Sequence, residues 1–306
     1  MAHTKQDTMR RALRREIAGT IGVLTDNVDF EAMRHYRSFA FDDHGEYLRQ
    51  VEGLLKARDA QGRHTTLALF DPEEYEEFCA AADLDPDRAA SRTFFTADLA
   101  AAGATVPFDG SSLDTLVPAL IEEAVRRSTW EYAGSVLAGI GECAGCGEDI
   151  GRAAFALAAR LLTRVLDSVG HGAHHLVCSA SLPTHDLTAA LHTSADPDGR
   201  IDLDEQEAME FASVLAVALA TRSAGGLVAR SSTPDTRDRV QGWRLQGELL
   251  MPLTAAEVFD AYCTDIYSGE PLPPESGVDY CAAPDLGPFE GHTHRCTPMG
   301  RPTSRW

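Results

Sequence analysis

Residues 194–205 read "SADPDGRIDLDE", and the fold of the C-terminal half turns on what they are. Laid on a twelve-position calcium loop, the stretch puts Asp196 at position 3, Asp198 at 5, Gly199 at 6, Ile201 at 8 and Glu205 at 12. A loop of that kind would require a helix on each side. Ser194 removes the first charged ligand, Gln206 and Glu207 stand where the exit helix should turn apolar residues inward, and no second such loop occurs in the sequence. A turn at "DPDG" accounts directly for the Pro and the Gly. Asp204 then caps the following helix, with Glu205 and Glu207 favoured near its N-terminal dipole. The stretch reads as a turn leading into a helix.

Working outward, "GRAAFALAARLLTRVLDSVG" is a strongly periodic helix, followed by "HHLVCSASL" and "DLTAALHTS", two neighbouring strands in which Leu187, Ala189 and Leu191 alternate. The helix "DEQEAMEFASVLAVALATR" comes after the turn. "GGLVARSS" and "RVQGWRLQGELLMPL" read as two further strands, and "TAAEVFDAY" as a short helix opened by Thr254 with Glu257 in a capping box. This order is α+β. From Ser268 onward, prolines and glycines with few periodic apolar residues suggest an irregular tail.

The first part alternates differently. "HYRSFAF" (35–41) and "HTTLALF" (64–70) read as strands, each followed by a helix, and a further helix near 89–102 leads through Gly103 to a short strand, "ATVPF". A long helical region, "SSLDTLVPALIEEAVRRSTWEYAGSVLAGI", closes this part. Strands alternating with helices predict a parallel sheet with crossover helices. The expected fold is therefore α/β, with a Rossmann-like, mostly parallel N-terminal layer over residues 1–140. An α+β lobe follows over 141–267, then the irregular tail over 268–306.

The net charge is −20, a surface that repels phosphate backbones and anionic lipid, so nucleic acid and membrane are not expected partners. Only the N-terminal arm is basic, with Lys5, Arg10, Arg11, Arg14 and Arg15 against Asp7. It reads as an amphipathic helix with Met9, Leu13 and Ile17 on its apolar side, or as an arm that docks on an acidic partner or on a second copy of this chain. No apolar run reaches the length of a membrane span, and Glu16 interrupts anything resembling a signal peptide. Seven scattered cysteines do not form a disulfide framework. The expectation is a cytoplasmic protein whose partner is another protein or a small molecule.

Two groups of residues invite chemistry. Ligands of open α/β sheets bind beyond the carboxyl ends of the strands, where the reading above places Asp42 and Asp43, Asp71 and Asp109. Such carboxylates could hold Mg²⁺ or act as acid and base in a metal-dependent hydrolase. Capping explains most of them: "DPEE" (71–74) has Asp at the N-cap and Pro at the first helical position, and Asp43 with Glu46 repeats the pattern. Asp42 is the acid least explained by capping. No phosphate-binding loop, dinucleotide fingerprint or nucleophile elbow accompanies the sheet. In the second group, Cys143 and Cys146 in "GECAGCGED" have the spacing of half a zinc site. His174 and His175, among the cluster 171–178, supply the other half, or else His292, His294 and Cys296 do. The alternative is a Gly-rich link between helices, with histidines that bond carbonyls and face solvent.

The stretch "FAFDDHGEYLRQVEGLL" (39–55) resembles the opening of a receiver domain. The likeness ends there: Lys5 and Lys56 both precede the third strand, and Asp71 follows too soon to be a phosphoacceptor. "FDPEEYEEFCAAADLDPD", "STWEYAGSVL" and "LTAAEVFDAYCTD" resemble segments of a group of actinobacterial proteins of unknown function. That resemblance runs over most of the chain, implies an intracellular protein and carries over no site. The motifs together favour a binding or regulatory protein over the hydrolase or over a zinc-stabilised interaction module.

Overall fold

The computed structural model describes residues 19–196, 198, 200–234, 236–265 and 268–287. The basic arm and the histidines and cysteine at 292–296 lie outside the described residues. The described residues form a mixed α/β protein of eight helices and ten strands. They fall into two compact units, one ending at Arg127 and the other beginning at Ser128.

The first unit contains β1 (Thr20–Val23), α1 (Asn27–Met33), α2 (His44–Asp59), β2 (Thr66–Leu69), α3 (Pro72–Ala81), α4 (Ala89–Ala102), β3 (Thr105–Pro107) and the start of α5 (Leu113–Ile140). β1 runs parallel to β2 with Thr20 opposite Thr66, and β3 runs antiparallel to β2 with Leu67 opposite Val106. Crossover helices join the parallel pair, as alternation predicts. Two helices, α3 and α4, separate β2 from β3, so the chain reverses once more and returns in the opposite direction.

The first strand is "TIGV" and not residues 35–41, which corrects the sequence reading. All four β1 residues are buried. Gly22 makes room there for Phe70: a Cβ on Gly22 would stand 2.9 Å from Phe70 Cδ2. The aromatic residues of "HYRSFAF" have another role. Phe39 meets Phe30 edge-on at 5.5 Å and Phe41 at 5.1 Å, while Tyr36 meets Tyr75 at 5.8 Å. Side chains, not a ladder, hold this backbone. Asp87 accepts from Ser38 N at 2.9 Å, and Arg92 donates to Ser38 Oγ at 2.6 Å and to its carbonyl at 3.0 Å.

The second unit contains α6 (Ile150–Val169), β4 (Gly172–Ser181), β5 (Asp186–Ala195), β6 (Ile201–Leu203), α7 (Glu205–Thr221), β7 (Ala224–Ser232), β8 (Asp238–Gln246), β9 (Leu249–Pro252), α8 (Ala255–Tyr262) and β10 (Val278–Tyr280). Its sheet runs β10-β8-β7-β4-β5-β6, with β9 also paired to β8. The stretch at 194–205 is the turn between β5 and β6 and the entry to α7, where Asp204 caps Glu207 N at 2.9 Å. Residues 197 and 199 of that turn lie outside the described residues. "RVQGWRLQGELLMPL" is a hairpin rather than one strand, with Gln246 opposite Leu249 across Gly247, whose φ is +66°.

Side chains alternate across a strand, and that decides what each face of this sheet does. Leu176, Cys178, Leu191, Leu227, Ala229 and Trp243 share a core with α6 and α7. In α7 every residue from Glu210 to Leu219 is buried. Val240 points to the other face and meets Val258 of α8 and Val278 of β10. Beyond β10 the chain continues as a strap. Cys281 N donates to Val240 O, Trp243 Nε1 to Pro284 O at 3.0 Å and Arg164 Nη1 to Leu286 O at 2.9 Å.

Candidate functional site

The polar side chains of the face away from α6 and α7 are arranged by strand register. Four residues, 182–185, join β4 to β5, and Ser181 pairs with Asp186. Six steps back along β4 and six forward along β5, His175 stands opposite His192. On its other side His175 stands opposite Arg230 of β7. One row therefore runs His192, His175, Arg230 across three strands. The next row places Ala173 between Ser194 and Ser232.

These residues wall a cleft of about 800 Å³, together with Asp202 and Asp204. The rings of His175 and His192 lie 4.5 Å apart between centroids, tilted by 37°. Glu207, in the first turn of α7, accepts from His192 N at 2.8 Å and stands 3.2 Å from His192 Nδ1. β6 pairs only with residues 193–195 of β5, so Glu207 takes the place of a ladder partner just beyond its end. Arg230 is held in two directions: Nε donates to Asp238 at 2.7 Å, and Nη1 and Nη2 donate to Glu275 at 3.0 and 2.8 Å. Ser232 Oγ donates to the other oxygen of Asp238 at 2.7 Å.

The electrostatics follow from these contacts. The hydroxyl of Ser232 and then the guanidinium of Arg230 hold the Asp238 carboxyl below its usual value. The hydrogen bonds of Glu275 and Asp238 push Arg230 further up. Burial lowers His175 below the ordinary 6.5, and the neighbouring His192 lowers it further. Its imidazole is neutral at neutral pH, suited to donate or accept a hydrogen bond or to offer a lone pair.

A model of a domain of unknown function (DUF8829) matches residues 8–111. The chain is similar to that family over its first unit. No curated protein and no solved structure matches it. Of the three segments quoted above for a family of unknown function, only "FDPEEYEEFCAAADLDPD" falls inside the matched range. The cleft lies outside it.

The residues singled out from sequence are spread over both units. Asp43 caps α2 by accepting from Glu46 N at 2.8 Å, and Asp71 caps α3 by accepting from Glu73 N and Glu74 N at 2.7 and 3.2 Å. Asp42 is exposed, in the bend before α2. With β1 at 20–23, the acid that follows the first strand is Asp26, the cap of α1. Asp29, in the same helix turn, has its carboxyl pushed above its usual value by burial, then by Asp26, Asp71 and Glu73. Asp109 accepts from Ser111 N, which with the Ser111 hydroxyl lowers its carboxyl.

Cys143 and Cys146 sit in the link between α5 and α6. That link is closed by its own backbone: Cys143 N donates to Glu148 O and Gly147 N to Cys143 O, both at 2.8 Å. His174 points into the core, with Nδ1 2.9 Å from Ser231 Oγ and Nε2 3.0 Å from the carbonyl of Gly170. Both its nitrogens are thus engaged, while adjacent His175 faces the cleft. Among the described residues, no three His, Cys, Asp or Glu side chains are placed to hold a metal together. The proposed set of Cys143, Cys146, His174 and His175 is not assembled as one. His192, Glu207 and Arg230 were missed. The loop length at 182–185 was the signal that could have found His192, because it sets the register.

Proposed function

We propose that this chain is a cytoplasmic binding protein of actinobacterial lineage, whose second unit takes a small polar molecule in the cleft beside His175, His192 and Arg230. The observation that carries the reading is the cleft itself, at about 800 Å³ on a sheet face that α6 and α7 leave uncovered. That volume lies within the range of small-molecule sites, roughly 300–1,000 Å³. Its lining offers neutral imidazole, hydroxyl and carboxylate groups whose positions are fixed by strand register and by the bonds of Glu207 and Asp238. Such groups orient a ligand at little entropic cost. The first unit supports binding rather than hydrolysis, since Asp43 and Asp71 are spent on helix starts. The net charge of −20 argues against nucleic acid as the partner. For the location, the support is that Cys79, Cys178 and Cys263 are buried thiols. Among the described residues no helix is long and apolar enough to cross a membrane.

The test is a thermal-shift screen of metabolites bearing carboxylate, amide or hydroxyl groups, on the full chain and on His175→Ala. A compound that raises Tm in the native protein and loses most of that effect in the variant supports the cleft. Compounds that stabilise both proteins equally would place binding elsewhere.

A further inference from the structure

His175 and His192 form a pair that an organic ligand alone does not explain. They stand directly opposite on adjacent strands and face the same cleft. No hydrogen bond engages a ring nitrogen of His175 among the described residues, and the one at His192 is on Nδ1. A carboxylate on one nitrogen of an imidazole fixes the tautomer and leaves the other nitrogen as a lone-pair donor, the arrangement found behind metal-bound histidines. Ring spacing fits as well. With metal–nitrogen bonds of roughly 2.0–2.1 Å, two imidazoles on one ion at near-right to tetrahedral angles have centroids about 4.5–5.2 Å apart. The observed separation is 4.5 Å.

We propose that His175 and His192 together bind a borderline divalent transition ion such as Zn²⁺, Ni²⁺ or Cu²⁺ through one nitrogen each, with Glu207 as the positioning residue behind His192. This rests on the reading of the cleft as a binding site and names an ion that site would hold. Imidazole nitrogens select such ions over Mg²⁺ and Ca²⁺, which prefer oxygen. Two protein ligands leave the remaining positions to water or to a ligand in the cleft, an open site by construction. The surrounding charge permits a dication. Arg230 is the one cation in the row, and Asp238 and Glu275 match it at 2.7–3.0 Å. Glu207, Asp202 and Asp204 add negative charge on the His192 side.

The experiment is calorimetric titration of the chelator-treated full chain with Ni²⁺ and Zn²⁺, repeated on variants. About one ion per chain is expected, with Mg²⁺ silent. His175→Ala and His192→Ala should each weaken binding at least tenfold. Glu207→Ala should weaken it about tenfold through loss of the bond behind His192 Nδ1. The Cys143→Ser/Cys146→Ser double variant should bind as the native chain does. Cu²⁺ should give an electron paramagnetic spectrum with two nitrogen couplings. Absence of binding, or binding unchanged in both histidine variants, would overturn the proposal. If organic compounds still stabilise the protein through the cleft in that event, the cleft reading stands while the ion falls. If an ion binds as described and no compound does, the ion stands and the cleft is an ion site that takes no organic molecule.

Discussion

Glu207 Oε2 accepts the backbone N–H of His192 at 2.8 Å and lies 3.2 Å from Nδ1 of the same residue. One carboxylate oxygen thus closes a sheet edge and orients a cleft side chain. The donor belongs to an exposed residue, so water can take the place of Glu207 when it is removed. Glu207→Ala should therefore destabilise the protein by about 0.5–1.5 kcal/mol, the net worth of one hydrogen bond. Glu207→Gln keeps one acceptor oxygen and should cost less. Urea unfolding of the two variants checks this. Equal losses would mean that the charge matters and the backbone bond does not.

Asp71 begins α3 by accepting two backbone N–H groups. If it acts only as a cap, Asp71→Asn should be nearly neutral and Asp71→Ala should cost about 1 kcal/mol. A functional carboxylate would make the Asn variant as damaging as the Ala variant in any ligand-binding assay. Chemical denaturation paired with the thermal-shift screen separates the two outcomes.

Asp29 gives a pH-dependent prediction. Burial and the charges of Asp26, Asp71 and Glu73 raise its carboxyl above 3.8 in the folded protein. The native state then holds this proton more tightly than the unfolded state, so the residue penalises folding once it ionises. The penalty is full above the raised folded value and absent below 3.8. Asp29→Asn should accordingly stabilise the protein at pH 7, and the gain should vanish as pH falls toward 3.8. A urea series across that range is the measurement, and a constant difference between the two proteins would contradict the linkage.

Much of the second unit was legible because its strands alternate cleanly and its helices are capped by residues of the expected kind. Asp204, and Thr254 with Glu257, fall where sequence places them. The α/β class was legible too. The first strand was not: "HYRSFAF" is an aromatic-rich run that reads as a strand, but its Tyr36, Phe39 and Phe41 pack against other rings from turns instead of from a pleat. "TIGV" is only four residues long and, being wholly buried, shows no alternation. That displacement carried the functional reading with it, since Asp42 and Asp43 were assigned a strand end that belongs to Asp26. Residues that converge only through pairing across strands stay hidden until register is known. His175 was visible as one of a cluster, but nothing local distinguishes it from His174, which points the opposite way.

Gly22 tests the revised position of β1. If the strand is "TIGV", its middle cannot take a methyl group without moving Phe70, whose Cδ2 would lie 2.9 Å away. Gly22→Ala should then cost about 1–3 kcal/mol from overpacking. In a surface segment the same change would be neutral. The midpoint of guanidinium unfolding decides between them.

His174 gives a second pH-dependent prediction, in the second unit. It is 4% exposed, between Ser231 and the carbonyl of Gly170, and burial lowers its titration below 6.5 although the Gly170 carbonyl pulls the other way. The unfolded state therefore takes up this proton first as pH falls. Stability is unaffected by His174 above 6.5, declines below it, and reaches its full loss once pH passes the lowered folded value. His175 shifts in the same direction and would add to the slope, so the native profile alone does not isolate His174. His175→Ala removes the cleft contribution and leaves the core histidine in place. In that variant the unfolding free energy should still fall between neutral pH and pH 5. A flat profile there would mean that the buried imidazole titrates as it does in water, against the geometry that encloses it.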